Sequence, residues 1–296
     1  MEKWDMGKNM EPIPSKTKRR FFLNVLMSSF FKKREGIEHR PQFPKVNSGQ
    51  ICLTWVGHAS FLLQTHKHNI LIDPNWSNWM LIIRRLKRAG IALDALPSID
   101  LVLITHAHFD HLNKKTLKMI AKNQPIIVPK GVKNLVRGIG FEKILEMNWW
   151  ERIEIDGTEI TFTPAKHWGA RVLADFHRGY GGYCLKFDGR SVYHCGDTAY
   201  FEKFSEIGER LHPEVVLMPI GSYDPPSGRD VHINPEKAVQ AFQELRGKIM
   251  IPMHFGTYRM SYEPLHEPAY RLIMAAKKKG ILSQVCFLNE GIPTIL

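Results

Sequence analysis

The stretch Thr105-His-Ala-His-Phe-Asp-His111 constrains this chain more than any other, because it sets His106, His108, Asp110 and His111 within six residues, directly after an apolar run ending at Ile104. A core strand there ends in four metal-binding side chains. Neutral imidazoles suit zinc, iron and manganese, and a carboxylate beside them suits harder divalent ions. At the end of an extended segment, residues i and i+2 point the same way. His106 and His108 can therefore close on one ion, while Asp110 and His111, where the chain turns, are free to aim at a second. A single histidine would read as a satisfied surface residue; four ligand types in one short window read as a metal site.

The rest of the chain is long enough to build a frame around that cluster. With 296 residues and 44% hydrophobic content it can bury a substantial core. No apolar run approaches the roughly 20 residues that span a bilayer, so a membrane-spanning class is excluded. Cys52, Cys184, Cys195 and Cys286 are scattered without a C-x-x-C pair, which predicts reduced thiols and a cytoplasmic protein. The formal net charge of +12 points to an anionic partner. Residues 1–45 hold eleven Lys and Arg against five Asp and Glu, a net of +6 and half of that excess. With half the charge in one arm and no interleaving of aromatic and basic residues, nucleic acid is disfavoured as the partner.

That arm, taken as residues 1–46, opens like a signal peptide: basic Lys16 to Arg20, then apolar Phe21 to Phe31. It lacks a small-residue cleavage site, and Lys32-Lys-Arg34 follows, so an uncleaved segment is expected. As a helix flanked by cations, residues 16–34 either lie in a membrane interface or pack on their own domain or on a partner subunit; a homodimer stays open. From residue 47 the pattern is globular. Ile51 to Val56, Ser60 to Gln64 and His68 to Asp73 predict three short antiparallel strands. His58, in the turn between the first two, either lines a site or is a bonded structural histidine, and Asp73 either serves structure or orients ligands. Residues 75–96, rich in tryptophan and cations, are expected to form an amphipathic helix with its apolar side in the core, with a capping or lipid-facing insertion as the second reading. Helices over Lys114 to Asn123 and Gly131 to Gly140 flank a strand at Pro125 to Pro129, and the alternation implies an α/β sandwich.

Three later segments repeat the opening pattern of a strand ending in a polar residue. They run to His167, to Asp197 in a Gly-Asp-Thr turn, and to His254. Rigid strand ends fix a side chain while the next loop leaves room for substrate.

Together, H-x-H-x-D-H, a lone His, a Gly-Asp-Thr aspartate and a last His resemble the metallo-β-lactamase superfamily from about residue 47 onward. The resemblance implies a four-layer αββα sandwich over 47–296 with a dinuclear site at one edge. It places His106, His108 and His167 on the first metal, Asp110, His111 and His254 on the second, and Asp197 between them. The ions would be two divalent metals, zinc first, with iron or manganese as alternatives. The strongest likeness is to N-acylphosphatidylethanolamine-hydrolysing phospholipase D, through Thr54-Trp-Val-Gly-His-Ala-Ser60, Ile72-Asp-Pro74, Pro164-Ala-Lys-His-Trp168, Pro219 to Pro225, His232 to Val239 and His254-Phe-Gly-Thr257. It implies phosphodiester hydrolysis by a hydroxide shared between two ions, on a phospholipid, at the inner face of a membrane. His232, Tyr223 and Asp110 are then the candidate catalytic residues, the first two contacting phosphate; the plainer reading of His232 is the flank of the helix that starts at Pro235. A nuclease, a cyclic-nucleotide phosphodiesterase or a lactonase of the same fold, and a metal-binding scaffold without turnover, are the competing functions.

Overall fold

The computed structural model describes residues 20–172 and 175–296. Two sheets carry the architecture. The first contains β1 (Cys52–Gly57), β2 (Ser60–Gln64), β3 (Asn69–Ile72), β6 (Leu101–Leu103), β7 (Ile126–Pro129), β8 (Ile144–Met147) and the short β15 (Thr294–Ile295), in the order β15-β1-β2-β3-β6-β7-β8. The second contains β9 (Arg152–Ile155), β10 (Thr158–Thr163), β11 (Gly182–Phe187), β12 (Arg190–His194), β13 (Val215–Pro219) and β14 (Ile249–Met253), in the order β14-β13-β12-β11-β10-β9. A separate hairpin pairs β4 (Trp79–Met80) with β5 (Ile83–Arg84).

Period-two alternation sorts the side chains between layers. Leu63, Ile70, Ile72, Leu101 and Leu103 join Ile160, Phe162, Leu185 and Val192 in the core between the sheets. Their neighbours Leu62, Leu71 and Val102 face outward, onto the helices α1 (Lys114–Ile120) and α2 (Lys133–Val136) through Leu117, Ile120 and Val136. The outer face of the second sheet is covered by α3 (Lys203–Leu211), α4 (Pro235–Leu245) and α5 (Glu267–Lys278), which bury Phe204, Ile207, Val239, Phe242 and Leu272. The result is the expected αββα sandwich. All four cysteines are free thiols.

The strand directions decide where the chemistry gathers. β1 and β2, and β2 and β3, are antiparallel, while β3 and β6 are parallel, so β1, β3 and β6 run the same way. In the second sheet β12, β13 and β14 are parallel, and β10 shares their direction because it is antiparallel to β11, itself antiparallel to β12. His58, Asp73, the 105–111 loop, His167, Asp197 and His254 each follow one of these strands.

Two expectations need correction. Residues 75–96 form no amphipathic helix; they make the β4–β5 hairpin, extended edges and a single turn at Leu93–Ala95. Arg85 is the physical reason. Its guanidinium is wholly buried and bonds to the carbonyls of Asn75 and Lys87 and to the Tyr258 hydroxyl, contacts a helix through Arg85 would not allow. The helix expected over 131–140 shrinks to the one turn of α2. In the arm, residues 20–30 are helical, with π winding over Phe22–Met27, and Val25, Leu26 and Ser29 are buried. Glu35 and His39 pair with Lys87 and Ile91, docking the described part of the arm on the 76–92 insertion. The basic stretch Lys16 to Arg19 lies outside the described residues.

Candidate metal centre

Five histidines converge on one carboxylate. Asp197 Oδ2 lies 3.0 Å from His254 Nε2, 3.2 Å from His111 Nε2, 3.7 Å from His106 Nε2, 3.8 Å from His232 Nδ1 and 3.9 Å from His167 Nε2. Gly196 makes that approach possible. Its φ of +63° suits glycine, and a Cβ there would sit 2.3 Å from the Gly181 carbonyl.

Two groups share this centre. His106, His108, His167 and Asp197 form one, and His58, Asp110, His111 and His254 the other, with a third set of Asp197, His232 and His254 overlapping the two. In the first, His108 Nδ1 lies 2.9 Å from His106 Nε2 and 3.2 Å from His167 Nε2. A tetrahedral ion with metal–nitrogen bonds of about 2.0–2.1 Å has edges of roughly 3.3 Å, close to these separations. In the second, Asp110 Oδ2 is 3.5 Å from both His111 Nε2 and His254 Nε2. Buried and without a hydrogen-bond partner are both carboxylate oxygens of Asp197, His111 Nε2, His254 Nε2 and His232 Nδ1. Orphaned polar atoms of this kind are rare in native interiors and need an unseen partner. A divalent cation meets that need, so the residues fit a metal.

Surrounding groups aim the rings. Asp73, in a left-handed conformation after β3, accepts from the Thr105 backbone N–H at 2.7 Å, from the Thr105 hydroxyl at 2.6 Å and from His111 Nδ1 at 2.6 Å. The Thr105 hydroxyl also lies 3.0 Å from His106 Nδ1. His167 Nδ1 donates to the Val231 carbonyl, which turns Nε2 inward. Such contacts fix the tautomer and raise the basicity of a ligand. Thr198 acts one step further out, its hydroxyl accepting from the Lys166 backbone beside His167. Arg171 bonds to the carbonyls of Ala107 and Leu112, bracing both ends of the 107–112 loop.

Electrostatics divide the cluster. Burial holds His106 and His167 well below the usual imidazole range and pushes His108 and His232 down to about 4. Burial acts on His111 and His254 too, but the carboxylate of Asp197 and then that of Asp110 outweigh it, raising His111 well above its ordinary value and His254 to about 9. Asp110 and Asp197 are also opposed by burial and are nevertheless held well below the carboxylate range, His111 being the largest favourable charge for each.

His58 resolves toward the site. Its Nε2 donates to Asp110 Oδ2 at 2.9 Å, its ring lies 4.0 Å from that of His254, and its φ is +54°. Non-glycine residues in that region are strained and cluster at functional sites; Asp73 and His254 share it. The Gly57-His58-Ala59 turn after a strand was the available signal. Tyr223 is engaged elsewhere: its hydroxyl donates to Glu267 at 2.7 Å and the Arg271 guanidinium covers its ring. At the mouth, Trp168 packs edge-on to His108 with the Arg229 guanidinium 5.2 Å over its ring.

A family model described as the β-lactamase superfamily domain matches residues 68–255. The chain belongs to that superfamily. Among the relatives of this β-lactamase-superfamily chain, an N-acyl-phosphatidylethanolamine-hydrolyzing phospholipase D of Caenorhabditis elegans is 34% identical over 70% of this chain. This chain spans 64% of that relative's length, less than two thirds. A metal-dependent hydrolase of Methanopyrus kandleri is 31% identical over 81% of this chain and 97% of its own. Among solved structures, a metallo hydrolase of Ignicoccus hospitalis superposes with a TM-score of 0.65 at 26% identity, covering 83% of this chain and 98% of that one. Superfamily, fold and a His/Asp cluster able to bind metal agree on the coarse class, a metal-dependent hydrolase.

Proposed function

We propose that this chain hydrolyses a phosphodiester in the phospholipase D manner, on a phospholipid resembling N-acylphosphatidylethanolamine, with two divalent ions, zinc first, held at the sheet edge. The convergence on Asp197 carries the reading: the two ligand groups together offer more donors than one four-coordinate ion takes, and Asp197 faces both. His106, His108 and His167 are the proposed ligands of one ion, Asp110, His111 and His254 those of the other, with Asp197 between. Paired divalent ions supply Lewis-acid stabilisation of the charge that grows on a phosphoryl group and make a nucleophile available at neutral pH.

The chain's own residues then orient and bind. Asp73, Thr105 and the Val231 carbonyl hold the rings in register. His232, at the outer edge of the cluster with an unpartnered Nδ1, is proposed to meet a phosphate oxygen. Tyr223 is not retained in that role, because its hydroxyl is engaged by Glu267. The likeness to the Caenorhabditis elegans phospholipase supports the lipid substrate. We assign the hydrolase domain to 47–296 and the arm to 1–46, with peripheral membrane contact through residues 16–34, supported by exposed Phe31, Lys32 and Lys33. No described helix is long and apolar enough to cross a membrane.

The test is hydrolysis of N-acylphosphatidylethanolamine, bis(p-nitrophenyl) phosphate, cyclic nucleotides and a lactone by metal-reconstituted protein. Release of the N-acylethanolamine supports the proposal; turnover of the lactone alone, or no turnover by metal-loaded protein, sinks it.

A further inference from the structure

The β4–β5 hairpin closes through a two-residue turn, Leu81-Ile82, since Trp79 pairs with Arg84 and Met80 with Ile83. Tight hairpin turns of this length call for Gly or Asn where φ is positive. Here leucine takes that position, with φ at +52°. It gains no burial in return: Leu81 is 73% exposed and Ile82 58%. A strained backbone that presents two large aliphatic side chains to water has no explanation in folding, and such outliers point to function.

The tip continues into a wider surface. The ring of Phe30 packs 5.2 Å from that of Trp79, itself partly exposed, and Phe31 is 84% exposed. Arg84 fastens the hairpin to the arm by donating to the carbonyls of Phe30 and Lys32. Cations border this apolar patch: Lys32, Lys33 and Arg88 are exposed, with Arg34 and Arg84 half-buried, and the acids beside them in the described part of the arm are Glu35 and Glu38. Apolar side chains at the summit with Lys and Arg behind them match the layers of an anionic bilayer interface.

The hairpin is also wired to the metal centre. At its base Asn75 Nδ2 donates to the Asp110 carbonyl and contacts Met80 Sδ at 3.8 Å. On its far side Arg85 pairs with Tyr258, and the Leu86 N–H donates to the Thr257 carbonyl, three residues beyond His254. Both limbs are thus hydrogen-bonded to loops that carry candidate ligands.

We propose that Leu81, Ile82 and Trp79, with Phe30 and Phe31, form a membrane-entry surface that seats the protein on anionic phospholipid, with Lys32 and Lys33 at the headgroups and the metal-centre edge turned to the lipid. The benefit to catalysis rests on the lipid-hydrolase reading above; the docking itself does not.

The experiment is vesicle co-sedimentation of the full chain, on phosphatidylcholine with and without phosphatidylglycerol, alongside hydrolysis of water-soluble bis(p-nitrophenyl) phosphate. Leu81→Asp with Ile82→Asp should lower partition onto the mixed vesicles by about tenfold or more, because two aliphatic side chains lose apolar burial. Hydrolysis of the soluble diester should stay unchanged. Lys32→Glu with Lys33→Glu should weaken binding only where phosphatidylglycerol is present. Leu81→Gly, which relieves the positive φ and so protects the fold, should also weaken binding. Undiminished vesicle binding by the folded Leu81→Asp, Ile82→Asp protein overturns the surface. So does a second copy as its occupant, seen as a wild-type dimer in sedimentation that the same substitutions split while vesicle binding persists. If the variants lose vesicle binding but the wild type cleaves no diester, the surface stands and the hydrolase reading falls.

Discussion

His106, His108 and His167 gather about Asp197, whereas His111 and His254 are set around Asp110 as well and backed by Asp73 and His58. Burial keeps the first three rings neutral, and carboxylates pull the other two toward the charged form. Side chains of one type, a few ångströms apart, thus have opposite proton affinities according to how closely a carboxylate approaches, Asp197 lying 3.0 and 3.2 Å from His254 and His111 but 3.7 and 3.9 Å from His106 and His167. An ion entering the first group meets neutral donors already aimed by backbone and hydroxyl contacts. An ion entering the second must displace protons but gains more negative charge.

Asp197→Ala breaks the comparison outright, because both groups lose the carboxylate they share. Activity is expected to fall to background and metal content to drop at both positions, read by elemental analysis of the purified variant. A protein that keeps its full metal load would disprove the shared role. His108→Ala separates the groups: about half the metal should remain, held by Asp110, His111 and His254, with hydrolysis lost because paired-ion chemistry needs both. Asp73→Ala removes the acceptor that aims His111 and holds Thr105. Metal affinity should weaken by roughly 10- to 100-fold, the usual cost of losing such a partner, measured by competition with a chromophoric chelator.

His58→Ala should cost less, about tenfold in affinity at the second position, since Asp110 keeps its contacts with His111 and His254. His58→Gln, which restores an N–H donor to Asp110 Oδ2, should recover most of that loss; equal weakening by both variants would mean that the ring itself is a ligand. The smallest effect is a pH split. A ring with a raised proton affinity binds metal better as pH rises toward that value, so occupancy of the second position should grow between neutrality and about pH 9, the value for His254. The first position should hold its metal well into acid, as His108 takes up a proton only near pH 4.

The His/Asp cluster was legible because its members follow strand ends, and a strand's apolar alternation and its terminal polar residue are both local signals. His167, Asp197 and His254 need no long-range knowledge to be noticed, although only the folded sheets show that they meet. His58 was ambiguous for the opposite reason, since nothing near the Gly57-His58-Ala59 turn predicts Asp110 52 residues on as its partner. The surroundings of Tyr223 were hidden on the same ground: Glu267 and Arg271, which engage it, belong to a distant helix. Residues 75–96 carry apolar and cationic side chains at spacings a helix accepts. Their path is set by the buried Arg85 reaching Tyr258, a contact spanning 173 positions. Where local pattern and distant anchoring disagreed, the distant contact won.

The parallel arrangement of the strands that carry the candidate ligands has a mechanical consequence. His106, His108, Asp110 and His111 leave the first sheet, while His167, Asp197 and His254 leave the second, so the His/Asp cluster lies on a seam between the two sheets. Any ion gripped by side chains from both layers acts as a rivet through that seam. Its binding free energy then adds to the work of prying the layers apart, so resistance to heat and to protease should rise with free metal concentration.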